Sequence, residues 1–319
     1  MRDAMIIYFK IRERSMLKNL VILFILQLLI SSKLMANDKL NIFACEPEWK
    51  SLVEEIGGDK VEVFSATHAM QDPHHIRARP SLISKIRRAD LIFCSGAGLE
   101  VGWMPLLLQK AKKVVQPGKL GYFMAANYSP VIDIPETINR SHGDVHPEGN
   151  PHVHLNPHNI MLIAKELNRR LSSIDKYNKS YYQEQYLNFT SKWKRSLSLW
   201  EKEISLLKGK KVIVHHKSFS YFLDWLNLEE IASLEVKPGI PPTASHLRSI
   251  LEKVKNNPAY LIIRSPYDSS EASIWLSKKT KIPAVVLPYT IGGNEESNNL
   301  FELFDSSIKI IQQAIYDKY

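Results

Sequence analysis

Residues 40–65 read LNIFACEPEWKSLVEEIGGDKVEVFS. An apolar run over residues 40–45 is followed by a helical pattern over 49–56 that stops at Gly57-Gly58, and then by a second extended run over 61–65. Strand, helix and strand in that order predict a βαβ unit, because parallel strands need a crossover between them. The rhythm continues. Pro80-Ser81 opens a helix carrying Leu82, Ile83 and Ile86, DLIFC at 90–94 reads as a buried strand, 99–112 as a helix and 113–116 as a short strand. The second half repeats it, with strands expected at 211–215, 232–236, 260–263 and 284–287 and helices at 218–226, 245–256, 271–280 and 299–316.

Between the halves, residues 159–171 are helical, and a pattern without Gly or Pro then runs from Asp175 to Leu207. At 1.5 Å per residue it would reach about 50 Å, enough for one helix to join two lobes. The expected fold is α/β, with two lobes that each hold a parallel sheet flanked by helices. The expected division is a signal peptide at 1–36, an N-terminal lobe at 37–174, a linking spine helix at 175–207 and a C-terminal lobe at 208–319.

The first 36 residues differ from the rest. Arg2, Lys10, Arg12, Arg14 and Lys18 precede an apolar run at 20–30, and Leu34-Met35-Ala36 offers a small residue for cleavage, the pattern of a secretory signal peptide. The run is shorter than the roughly 20 residues a membrane span needs. Met16 offers an alternative start. The expected location is the periplasm. Removing the six Lys/Arg and two Asp/Glu of this segment from the 42 and 33 of the whole chain lowers the net charge from +9 to about +5. The remaining bases alternate with acids along helices, as on solvated faces, so nucleic acid is not an expected partner. Only Cys45 and Cys94 occur. Both end expected strands, and in the usual 2-1-3 strand order those strands are neighbours about 4.8 Å apart, so a disulfide is predicted.

All eleven histidines lie between His68 and His246. SHGDVHPEGNPHVHLNPH at 141–158 holds five of them, interrupted by Pro and Gly, so the imidazoles project from turns. His clusters of this kind bind metals. The pairs His74-His75 and His215-His216 are more than sixty positions away on either side, too far for a local finger, so any shared site must be built by the fold. His74, His216 and the GGNEES loop all follow expected strand ends, where open parallel sheets place their ligands.

Three stretches, DPHH followed by RPSLISKIRRADLIFCSGAGLE, then GNPHVHLNPHN, then VIVHHKSFSYF, resemble in order and spacing the zinc and manganese receptors of bacterial ABC importers. The resemblance covers essentially the whole exported chain. It implies a metal site in a cleft between the lobes, with His74, His152 and His216 as ligands, Zn²⁺ bound as the transported substrate, a membrane permease as partner and a monomeric receptor rather than an enzyme. It also implies a carboxylate from the loop after the last strand. The manganese receptors carry Glu at the third position, where this chain has His216, and three imidazoles with one oxygen suit tetrahedral zinc. The loop TIGGNEESNN lacks the family's usual Asp, and Glu295 is the expected replacement, with Glu296, Asn294 and Asp305 behind it.

Plainer readings stand beside these. His75, His154 and His215 flank proposed ligands and read as hydrogen-bonding or surface residues; His142 and His146 read either as metal-capturing loop residues or as part of a polar loop; His158 and His246 belong to helix starts. The competing class is a zinc hydrolase built on the His152-Val153-His154 pair. Against it, the pair follows a Gly/Pro loop, Asn156 stands where such enzymes often place Asp, and there is no HExxH.

Overall fold

The computed structural model describes residues 16, 18, 39–136, 146–237 and 239–316. The expected signal peptide, apart from residues 16 and 18, and His142 lie outside the described residues. From Leu40 onward the described chain forms one compact unit.

Among the described residues, eight strands make two parallel sheets. The first holds β1 (Leu40–Ala44), β2 (Val61–Ser65), β3 (Leu91–Cys94) and β4 (Tyr122–Met124) in the order β2-β1-β3-β4. The second holds β5 (Lys211–Val214), β6 (Glu229–Ser233), β7 (Leu261–Arg264) and β8 (Ala284–Val286) in the order β6-β5-β7-β8. The two sheets thus share one topology. Helices α1 (Pro47–Gly57), α2 (Pro80–Ile86) and α3 (Met104–Leu108) accompany the first sheet, and α6 (Ser220–Leu226), α7 (Ala244–Asn256), α8 (Glu271–Thr280) and α9 (Leu300–Tyr316) the second. Helices α4 (Pro157–Ile174) and α5 (Lys179–Glu203) lie between them in the chain.

Side chains alternate across each strand, and the core follows that period of two. Ile42 and Ala44 of β1, Leu91 and Phe93 of β3, Val212 and Val214 of β5 and Leu261 and Ile263 of β7 all join one continuous apolar cluster. Trp193, Leu197 and Trp200 of α5 belong to that cluster. The opposite faces, Phe43 and Ile92 in one sheet and Ile213 and Ile262 in the other, pack into separate smaller clusters. The long helix is therefore fastened to both sheets by burial, and its indoles add polar anchors. Trp193 Nε1 donates to the Pro157 carbonyl at the start of α4 (2.9 Å), and Trp200 Nε1 donates to Asp305 on α9.

Several boundaries differ from expectation. The long helix starts at Lys179 because Asp175 ends α4 and spends its carboxylate on Asn178 and Tyr182. It closes in a 3₁₀ turn at Ile204–Leu207. The helix expected at 99–112 shrinks to α3, because Gly96, Ala97 and Gly98 take positive φ in a turn held by Glu100, whose carboxylate accepts the Ser95 and Gly96 amides. Residues Lys113–Val115 form a 3₁₀ turn instead of a strand, and β4 supplies the fourth strand. Cys45 and Cys94 are joined by a disulfide, with Cα atoms 4.8 Å apart across the β1–β3 pair. Among the described residues, no helix is long and apolar enough to cross a membrane.

Candidate metal centre

His74 follows β2 in an Asp72-Pro73-His74 turn. The Asp72 carboxylate accepts the His74 amide at 2.9 Å and lies 2.7 Å from His74 Nδ1, while Trp103 Nε1 holds the Pro73 carbonyl. His152 sits just before the 3₁₀ turn Val153–Leu155, its amide bound by the Asn150 side chain and its Nδ1 2.7 Å from the Tyr289 hydroxyl. His216 follows β5, and its Nδ1 is 2.7 Å from the carboxylate of Glu235, which lies just past the end of the neighbouring strand β6. These positions lie at carboxyl ends of parallel strands or in loops facing them, where such sheets hold ligands.

The three rings converge. Their centroids are 5.6 to 6.2 Å apart, and one ligand nitrogen from each falls within 4.8 Å of the others. Carboxylates only accept, so Nδ1 of His74 and of His216 carries a proton, and Nε2 is the nitrogen that presents a lone pair when the ring is neutral; with the phenol oxygen as acceptor, the same tautomer holds for His152. An imidazole whose far nitrogen is fixed by an oxygen is the usual state of a metal-ligating histidine.

Charge follows from burial. His152 is fully buried, and burial, reinforced by the neighbouring His74 and His216, holds it well below the ordinary histidine range. Burial also lowers His216, but its hydrogen bond and ion pair with Glu235 outweigh that and raise it. Burial would raise Asp72, yet the hydrogen bond and charge of His74 bring it lower than usual.

Beneath the cluster lies a second polar layer. His154 is fully buried, with Nδ1 3.2 Å from Glu48 of α1 and Nε2 donating to the Tyr289 carbonyl at 2.9 Å. Thr290 donates to the same Glu48. The segment after β8 is thereby tied to both α1 and the His152 loop. Tyr221 of α6 donates to the Asn150 carbonyl, and Asn150 donates to that of Lys217, closing the opposite side.

The structure brings His74, His152 and His216 together and leaves Glu295 out. The Glu295 side chain is exposed and does not belong to the converging group, because its loop turns toward α9. There Asn294 donates to Ser306, and Glu296 pairs with Lys309 at 2.8 Å. The last loop reaches the histidines through Tyr289 instead. His154 has a buried structural place, His215 is buried beside His216, and His158 pairs with Glu201 on the surface of α5 while Asn156 caps α4. His246 lies in the first turn of α7, and its Nε2 donates to the Ser233 carbonyl. Asp72 was signalled by its place two residues before His74; Tyr289, Glu235 and Glu48 carried no signal, because each meets its histidine only across the fold. His146, read either as a metal-capturing loop residue or as part of a polar loop, lies 3.1 Å from His74, Nε2 to Nε2, and with His74, His75 and Glu148 lines a pocket open to solvent.

Comparison with known proteins agrees with this geometry. Residues 42–314 match the family described as ZnuA, zinc-uptake complex component A, periplasmic. Relatives include the metal ABC transporter substrate-binding lipoprotein SloC of Streptococcus mutans, 26% identical over 82% of this chain and 84% of that protein. The manganese ABC transporter substrate-binding lipoprotein PsaA of Streptococcus pneumoniae is 26% identical over 88% and 90%. A crystal structure of ZnuA superposes with a TM-score of 0.69 at 21% identity, covering 86% of this chain and 99% of that one. The cadmium-bound periplasmic metal binding protein of Candidatus Liberibacter asiaticus superposes at 0.71 with 17% identity, covering 87% and 100%. At these identities the structures establish the two-lobe fold, and the match along the sequence establishes descent: the chain belongs to the ZnuA family of periplasmic substrate-binding components of metal ABC importers, and not to a family of enzymes.

Proposed function

We propose that this protein captures Zn²⁺ in the periplasm between its two lobes and delivers it to the membrane permease of an ABC importer, acting as a monomer. His74, His152 and His216 are the ligands. The observation that carries the reading is the convergence of three imidazoles, each with Nδ1 engaged by an oxygen and Nε2 turned to a common point. Imidazole is a borderline ligand that suits zinc, whereas manganese favours oxygen donors. A carboxylate at the position of His216 would have tilted the site toward manganese, as would one from the last loop; the nearest carboxylates instead occupy the far nitrogens of the histidines. The continuous core through α5 supports capture by a largely preformed site, with adjustment confined to loops.

The test is metal analysis of protein isolated from its own periplasm, with competition titration of the stripped protein. One equivalent of zinc, retained against a large excess of Mn²⁺, is expected. Preferential retention of manganese would transfer the protein to the manganese receptors; binding of neither would sink the reading.

A further inference from the structure

His146 reaches the centre through His74. The two Nε2 atoms are 3.1 Å apart, and the ring centroids 5.1 Å. The His146 ring also lies against the Ala97 backbone, in the positive-φ turn of Gly96 to Gly98. Gly98 belongs to this arrangement: a Cβ there would stand 3.4 Å from His146 Nδ1, and its φ of +83° disfavours any other residue. The segment is fixed from behind as well, since the Gly149 amide donates to the His146 carbonyl and the Asn150 amide to that of Ile132. His146 is thus held from behind by its own segment, with Nε2 turned toward His74.

With the proton on Nδ1, Nε2 of His146 presents a lone pair toward His74. Nε2 of His74 presents one too, because Asp72 takes its Nδ1 proton. At 3.1 Å the two nitrogens can share one proton in a hydrogen bond, and loss of that proton leaves both lone pairs facing one point that a cation can take. For zinc with Zn–N bonds of about 2.0–2.1 Å, two ligand nitrogens of a tetrahedron stand about 3.3–3.4 Å apart. The observed spacing is close to that edge.

Resting on the zinc reading above, we propose that His146 is a fourth protein ligand, so that the cargo ion is closed in by four imidazoles without a carboxylate. His146 meets the group through His74 and stands outside the tightest cluster, so full closure moves its ring inward, carried on the Pro147 to Gly149 turn. Four neutral nitrogens and no hard oxygen disfavour Mn²⁺ and Mg²⁺ and favour Zn²⁺. The same closure covers the ion where the pocket opens to solvent.

The experiment is zinc K-edge X-ray absorption on the zinc-loaded full chain and on His146→Gln, with zinc affinity by chelator competition. Circular dichroism and the metal-free Tm check that the variant folds. Four imidazoles in the parent, three plus one light atom in His146→Gln, and an affinity lower by about tenfold or more support the proposal. A parent and variant that both bind zinc with the same shell and affinity overturn it while the receptor reading stands. A parent that binds no zinc overturns both.

Discussion

The hydroxyl of Tyr289 lies 2.7 Å from Nδ1 of His152, and the backbone carbonyl of the same tyrosine accepts Nε2 of His154 at 2.9 Å. One residue of the last loop therefore orients a proposed zinc ligand with its side chain and anchors the neighbouring loop with its main chain. Tyr289 is almost fully buried, and its phenol is pushed well above its ordinary range by burial, reinforced by Tyr267 and Glu48, so it stays neutral.

Removing that hydroxyl should leave the ring in place and free His152 to rotate. Tyr289→Phe is expected to weaken zinc binding by about 10- to 100-fold, the range for lost partners of ligating histidines. Glu295→Gln is expected to stay within about twofold of the parent, as an exposed substitution should. Competition titration against a chelator separates them, and the reverse order would restore Glu295 to the ligand set.

His216 and His215 are adjacent, and only His216 belongs to the converging group. His216→Ala is expected to lower zinc affinity by more than about 100-fold, exceeding the loss of an orienting partner. His215 is buried, and its Nδ1 has no hydrogen-bond partner, so His215→Ala should keep metal affinity while lowering stability by about 1–3 kcal/mol. Equal losses of affinity would count against the assignment.

The Cys45–Cys94 bridge closes a loop with a sequence separation of 49. Chain-entropy arguments put its contribution at about 4 kcal/mol. Free-thiol labelling of unfolded, unreduced protein should find no thiol, and the Cys45→Ala/Cys94→Ala double variant should unfold at lower denaturant. Two labelled thiols would refute the bridge.

Glu46 and Glu100 are buried side by side next to this disulfide and share Ser95 as a partner. Burial, together with the charges of Glu100 and Glu48, raises Glu46 well above the carboxylate range; burial raises Glu100 to about 7 against its amide hydrogen bonds. A carboxyl raised by folding binds more protons in the native state. Its stabilisation is thus complete below the ordinary carboxylate pKa of about 4.3 and is lost as pH rises through about 7. The stability of the parent relative to Glu100→Gln, measured by urea unfolding of the metal-free protein, should fall by roughly 2–3 kcal/mol between pH 5 and pH 8. A pH-independent difference would mean that the pair does not take up a proton on folding.

The sequence by itself determined the architecture and the three converging histidines. Apolar runs such as LNIFAC and DLIFC, the Gly57-Gly58 stop and the unbroken pattern ending at Leu207 are local signals, and α/β topology follows from their order because parallel strands need crossovers. The placement of His74 and His216 beyond strand ends followed from the same rule. Tertiary structure alone decided what surrounds those histidines. Asp175 reaching Asn178 and Tyr182 set where the spine begins, and the turn of Gly96 to Gly98 shortened α3 and made room for His146. Glu235 meets His216 from 19 positions away and Tyr289 meets His152 from 137, pairings that no local pattern announces. Glu295 lies outside the converging group for the same reason. Its loop satisfies its polar groups against α9, and a hydrogen bond made there settles which way a side chain faces, whatever its spacing along the chain.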